Sequence, residues 1–134
     1  MYEKFGQFID GKWQKSSDNG TYEVINPANE EVLGNASKAT ANDVDKALKS
    51  AQKGLETWKK TPPWQRSYII RRIADKIREK QDVLAKWMTL EVGKPLTEAK
   101  GEVLGAADIF EWNAEETKRI YGQTVESRFE DTRV

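Results

Sequence analysis

Apolar residues recur three or four positions apart in three long stretches of the chain, and this spacing predicts amphipathic helices. The first helix is predicted to begin after Thr40, whose hydroxyl can cap it, with Asp43 near its positive end. It is predicted to end before Thr61-Pro62-Pro63, because that sequence disfavours continued helix. Its apolar stripe consists of Val44, Ala47, Leu48, Ala51, Leu55 and Trp58.

A second helix is predicted from Pro63 to Glu91, with a polar segment at residues 78–82 that bends or interrupts it. A third is predicted from Thr97 to about Arg119, after a corner in which Gly93 is a left-handed cap and Pro95 suits the first turn. Three such helices with short connections can bury a shared seam. The Trp and Met side chains on the helices are interpreted as part of that seam rather than as a ligand site.

Gly101 and Gly105 lie one turn apart within the third predicted helix. Each costs about 1 kcal/mol relative to alanine, so another backbone or a ligand is expected to approach this face. Close helix packing is the favoured explanation.

Two short β-ribbons are predicted before the helices. The first is a hairpin turning at Asp10-Gly11. The second has a strand at Tyr22–Ile25, a turn at Asn26–Asn29 and a segment leading away at Glu31–Gly34.

A further strand is predicted within Gln123–Val134, where Val125, Ser127 and Phe129 alternate with charged residues. Because a half-polar strand is a poor end for a finished domain, the chain is expected to be the front of a longer polypeptide.

Composition removes most of the common catalytic machinery. The 134 residues contain neither cysteine nor histidine, which excludes disulfides, thiolate or imidazole zinc sites, a cysteine nucleophile and a histidine base among them. Lys and Arg total 22, as do Asp and Glu, so no net charge favours nucleic acid or an anionic membrane. With no long apolar run and no leader sequence, a cytoplasmic location is expected. The acidic group Glu111, Glu115 and Glu116 is interpreted as a solvated helix face, not a metal or acid–base site.

Several motifs resemble those of NAD(P)-dependent aldehyde dehydrogenases, in the order and spacing of that family from near residue 5 to residue 134. Met88–Glu102 is similar to the family's Leu-Glu-x-Gly-Lys-Pro-x-x-Glu-Ala segment. The other matching segments are Phe8–Trp13, Asn26–Ala28 with Glu31–Gly34, Trp64-x-Arg66, and Glu111–Glu116 with Lys118–Gly122. The residues in these segments most resemble those of succinate-semialdehyde dehydrogenases. Val92 and Asn113 stand where that subgroup commonly has other residues, which leaves another small aldehyde open as the substrate.

The resemblance implies an α/β fold class: the N-terminal part of the aldehyde dehydrogenase fold, here mostly helical, with two ribbons and a C-terminal strand. Residues 1–120 would form the N-terminal part of the coenzyme-binding domain, and residues 121–134 an incomplete first strand of the oligomerisation domain. The parent enzyme would have roughly 450 to 500 residues and form a homo-oligomer.

The chemistry that the resemblance implies lies beyond Val134. In the family a cysteine thiolate attacks the aldehyde, hydride passes to NAD or NADP, and a glutamate activates the water that hydrolyses the thioester. No catalytic or cofactor-binding residue is therefore assigned to this chain, which is expected to bind no coenzyme alone and to be inactive by itself. The alternative is a truncated, non-catalytic helical interaction module.

Two residues match family positions that supply oxygen ligands to a buried monovalent cation: Ile25, before Asn26-Pro27, and Glu91, before Val92-Gly93. A plain backbone corner with a surface glutamate is the open alternative. The face from Gly101 to Phe110 matches the helix that lines the mouth of the aldehyde tunnel, where Gly105 would leave space. If the chain is a fragment, its apolar faces, Val44/Leu48/Leu55 or Val103/Phe110, would be partly uncovered, which predicts marginal stability and association.

Overall fold

The computed structural model describes residues 6–122 and 128–132. Two antiparallel ribbons come first: β1 (Gln7–Ile9) with β2 (Lys12–Gln14), and β3 (Thr21–Ile25) with β4 (Val32–Ser37). The first ribbon turns at Asp10 and Gly11. Their φ angles of 53° and 76° are both positive, as a two-residue type I′ hairpin turn requires. Phe8 pairs with Trp13 across it, with ring centroids 5.1 Å apart. Both predicted ribbons are confirmed.

Four helices follow rather than three: α1 (Ala41–Trp58), α2 (Pro63–Glu79), α3 (Gln81–Val92) and α4 (Leu96–Glu116). The predicted interruption at residues 78–82 is a complete break at Lys80, whose φ of −102° and ψ of 14° leave the helical region. A short 3-10 turn, Thr117–Arg119, ends the helical part. The fold is mostly helical with short antiparallel strand pairs, as the sequence predicted.

The core lies where α4 packs against α2 and α3, and it is built from small side chains. Its buried apolar residues are Ala74, Ala85, Ala99, Val103, Ala107 and Ala114. Ile77, Leu84 and Met88 pack around it while remaining partly exposed. No large side chain among the described residues is fully buried. Alanine layers let helices approach closely but remove little apolar surface from water, so this core is thin.

The interpretation of the Trp side chains as core is only partly right. Met88 packs against the core cluster, and Trp87 is half-buried. Trp64 and Trp112 are instead 74% and 71% exposed. The Lys118 ammonium lies 4.6 Å from the centroid of the Trp64 ring, a cation–π contact at the surface.

The strand predicted within Gln123–Val134 falls largely outside the described residues. The described part, residues 128–132, forms bends and a turn in which the Thr132 amide donates to the Phe129 carbonyl at 3.3 Å. Searched over the same described residues, no helix has both the length and the apolar character needed to cross a membrane.

Candidate functional site

The corner between α3 and α4 lies against the turn of the second ribbon. Gly93 ends α3 with a φ of 76°, and its amide donates to the Thr89 carbonyl at 2.9 Å. A Cβ placed on Gly93 would lie only 3.1 Å from Cγ of Pro27. The Asn26-Pro27 turn and the Gly93 corner are therefore in close contact, as a glycine at this position permits.

The ribbon turn that meets this corner is held by its own hydrogen bonds. The Asn26 side chain is buried, and its Oδ1 accepts from the Ala28 amide at 3.0 Å. The Asn26 amide donates to the Glu31 carbonyl at 2.9 Å. A β-bulge at Val24/Ile25 shifts the strand register just before the turn. This network fixes the position of Pro27 against Gly93.

The two predicted cation ligands lie on the two segments that this contact joins. Ile25 is the last residue of β3, and Glu91 lies in the final turn of α3. Both are exposed, Ile25 to 49%. Among the described residues, no group of three or more Asp, Glu, His or Cys side chains is arranged to hold a metal ion. The structure therefore brings the two segments together without assembling a carboxylate-rich metal site.

A second polar cluster surrounds Asp43, which is 3% exposed. Its Oδ2 accepts from the Thr40 amide at 3.0 Å, the Thr40 hydroxyl at 2.9 Å and the Ser17 amide at 3.1 Å. Hydroxyls of Ser16 and Ser17 each donate to the same oxygen at 3.2 Å. These donors, the Thr40 and Ser17 amides foremost, hold the pKa of Asp43 well below its ordinary value of 3.8.

The Asp43 cluster is a structural device, not a catalytic one. The predicted cap is confirmed as a reciprocal capping box between Thr40 and Asp43. Its additional hold on the Ser16-Ser17 loop was not predicted, since serines in a polar loop carry no signal for a contact 26 or 27 residues away. A carboxylate so fully hydrogen-bonded stays ionised near neutral pH and has no proton to donate.

The acidic residues of α4 pair with arginines of α2. Arg71 donates to Glu111 at 3.2 Å and also contacts Glu115. Arg78 donates to Glu111 at 2.6 Å and to Asp108 at 2.8 Å. Hydrogen bonds from Lys118 and Arg71 lower the pKa of Glu115. The interpretation of this group as a solvated, charge-paired helix face is confirmed for Glu111 and Glu115, and Glu116 likewise pairs with Arg119 at 2.5 Å.

The two glycines of α4 do not mediate close helix packing among the described residues. A Cβ placed on Gly101 or Gly105 would have no described atom within 4 Å. The favoured explanation is therefore wrong for this part of the chain, because the packed face of α4 is the alanine and valine face. The glycine face is open among the described residues, and Leu104 beside it is 39% exposed.

Comparison with known proteins places these features in a family. A family profile described as "Aldehyde dehydrogenase family" matches residues 13–134. The chain is 41% identical over 127 residues to glutarate-semialdehyde dehydrogenase of Pseudomonas aeruginosa, covering 95% of this chain and 26% of that protein. It is 41% identical over 126 residues to succinate-semialdehyde dehydrogenase [NADP(+)] GabD of Escherichia coli, covering 94% and 26%.

Solved structures give the same result. The described arrangement matches a crystal structure of an E. coli NADP-dependent enzyme with a TM-score of 0.92 and 41% identity, covering 98% of this chain and 28% of that one. It matches betaine aldehyde dehydrogenase of Staphylococcus aureus, in complex with NAD+, with a TM-score of 0.92, 31% identity and 98% and 27% coverage. The chain thus spans about a quarter of the length of the relatives it matches. On the profile match over most of its length, the chain belongs to the aldehyde dehydrogenase family.

Proposed function

We propose that this chain is part of an NAD(P)-dependent aldehyde dehydrogenase that oxidises a small semialdehyde, with succinate semialdehyde favoured, to its carboxylic acid. The observation that supports the proposal is the 41% identity, over 94–95% of the chain, to relatives named for succinate and glutarate semialdehydes. Glutarate semialdehyde is therefore the nearest alternative substrate. The cytoplasmic location, the homo-oligomer and the domain division at residue 120 stay predictions.

We infer that the described residues contribute no coenzyme-binding residue. Dinucleotide phosphates are commonly bound at a glycine-rich turn that opens a helix, where free amides face the ligand. The N-terminus of α1 is already capped by Thr40 and Asp43. Neither α2, which follows Thr61-Pro62, nor α4, which follows Lys94-Pro95, begins at a glycine-rich turn. Helix α3 follows α2 at Lys80 with no intervening loop. We therefore assign no coenzyme-binding residue here, and we derive no catalytic step through the coenzyme.

The role proposed for the described residues is to form a scaffold. A cysteine thiolate that attacks the aldehyde cannot come from this chain, since it has no cysteine. The Ile25 and Glu91 positions are proposed to contribute oxygen ligands to a monovalent cation at the corner between the second ribbon and α3. With one carboxylate in that set, most of the ligands would have to be backbone carbonyls, which suits a weakly charged, hard ion.

The test is an assay of the full product of the native gene. Its intact mass is measured, and coenzyme reduction is followed with succinate and glutarate semialdehydes, each with NAD+ and with NADP+. A protein about four times the length of this chain that oxidises either semialdehyde supports the proposal. A product of 15.3 kDa that reduces no coenzyme refutes it. The second candidate, a helical interaction module, would then be favoured by the exposed apolar stripe of α1.

A further inference from the structure

Helix α1 contacts the rest of the described chain through its polar side. Asp43 holds the Ser16-Ser17 loop, and the Ser50 hydroxyl lies 3.5 Å from Oδ1 of Asp10 in the first hairpin. Asp43 is the one residue of α1 that is buried. The helix is therefore positioned by a capping box and a hydrogen bond rather than by apolar packing.

The apolar stripe of α1 points elsewhere. At about 100° per residue, the stripe is centred roughly a quarter of a turn around the helix from Asp43 and Ser50. Three of its large side chains, Val44, Leu48 and Leu55, are 50%, 63% and 57% exposed. A helix of this length gains most of its stability in proteins by packing such a stripe against a neighbour. The described residues contact the polar side of α1 and leave half or more of each of these three side chains exposed.

The matching structures indicate what the missing neighbour is. Structures that match 98% of this chain with a TM-score of 0.92 are more than three times longer, since the chain covers only 27–28% of them. The arrangement of α1 on the hairpin is therefore one that occurs within a longer chain. Because the core of the described part is built of alanines and one valine, it leaves the large apolar side chains for surfaces that this longer chain would cover.

We propose that the Val44/Leu48/Leu55 stripe is a docking surface for the remaining three quarters of an aldehyde dehydrogenase chain, and that it captures this part even when it is supplied as a separate polypeptide. The proposal rests on the proposed function only in treating the chain as part of a longer enzyme. The two pieces would associate through apolar contact, without a covalent link.

The test is complementation in trans. The tagged 134-residue chain is co-expressed with E. coli succinate-semialdehyde dehydrogenase from which the region aligned with this chain has been deleted. Wild-type chain is expected to render the truncated partner soluble and to co-purify with it in a ratio of one to one. Leu48→Asp is expected to reduce co-purification about tenfold or more, because a charge would be buried at the centre of the contact.

The matched control is Thr57→Asp, an exposed polar position about 180° around α1 from Leu48, which introduces the same residue and is expected to bind as wild type does. Leu48 is largely exposed in the chain alone, so Leu48→Asp is expected to leave the helix content and the urea midpoint of the free chain nearly unchanged. This separates a lost contact from a lost fold.

Three results would overturn the proposal: a truncated partner that stays insoluble despite co-expression, a Leu48→Asp chain that binds like wild type, or self-association of the chain that Leu48→Asp abolishes. The last would identify a second copy as the occupant. A pair that co-purifies establishes the docking surface. Because the reacting groups of that pair belong to the E. coli partner, the proposed function is tested separately, with the full product of the native gene.

Discussion

Replacing Gly93 by alanine tests the corner that joins α3, α4 and the second ribbon. Gly93 has a φ of 76°, in the left-handed region where a side chain at Cβ crowds the following carbonyl. Its amide caps α3 through the Thr89 carbonyl at 2.9 Å. Alanine would have to hold this conformation for α3 to stop here and α4 to begin at Leu96. The substitution therefore tests the backbone conformation of the corner.

Two effects set the size of the loss. The left-handed conformation costs alanine about 1–2 kcal/mol relative to glycine. The new Cβ would lie 3.1 Å from Cγ of Pro27, so the proline ring must move by a few tenths of an ångström. Because the Asn26 hydrogen bonds hold that turn, we expect the full destabilisation to be about 2 kcal/mol and to lower Tm by roughly 5–8 °C. Gly93→Asn is expected to cost less, since asparagine tolerates this region better.

Urea unfolding followed by helix circular dichroism measures the change, and Gly101→Ala is the control. Gly101 lies within α4 with no described atom within 4 Å of its Cβ position, so alanine there is expected to stabilise the chain by about 1 kcal/mol. The same substitution is thus expected to have opposite signs at the two glycines. A Gly93→Ala chain as stable as wild type would refute the argument that this corner requires a left-handed residue.

Three further predictions concern packing, pH and salt. Val103→Ala truncates the one buried core side chain that is larger than alanine, and it is expected to lower the free energy of unfolding by about 2 kcal/mol. An unchanged midpoint in thermal or urea unfolding would contradict the assigned core. Asp43 has a folded-state pKa well below its ordinary 3.8, so its stabilising contribution is fully present above pH 3.8 and is lost as the pH falls from there through the lower folded-state pKa. Wild type should accordingly exceed Asp43→Asn in stability at neutral pH, with a gap that narrows in acid, and a gap constant with pH would count against the carboxylate. Arg78→Gln should lower the stability of the chain slightly at low salt, and this difference from wild type should vanish near 1 M salt, because the ion pairs of Arg78 with Asp108 and Glu111 are at the surface. A loss of stability that does not depend on salt would indicate that Arg78 acts through packing.

The features predicted correctly from the sequence are those with local causes. The hairpin at Asp10-Gly11, the cap at Thr40 and the corner at Gly93 each depend on residues within a few positions of one another. Turn and cap chemistry selects specific residue types at fixed offsets, so a single sequence suffices to locate them. The break near Lys80 was also visible as a polar segment, although its completeness was not.

The features predicted poorly depend on contacts between distant residues. Nothing local distinguishes Gly101 and Gly105 as part of an open face rather than a packed one, because the neighbour that decides this lies elsewhere in the fold. The exposure of Trp64 and Trp112 has the same origin. The Ile25 and Glu91 positions came from resemblance alone, and their role as cation ligands stays a prediction.

The segment that most strongly indicates the family has a structural role in the fold. In Gly93-Lys94-Pro95 the glycine supplies the left-handed cap, the lysine pairs with Glu102 on α4, and the proline precedes the first turn of that helix. Each of these residues has a structural role in the corner. A chain can therefore be identified with an enzyme family through residues that build its fold, since the same corner has to be built whichever aldehyde is oxidised.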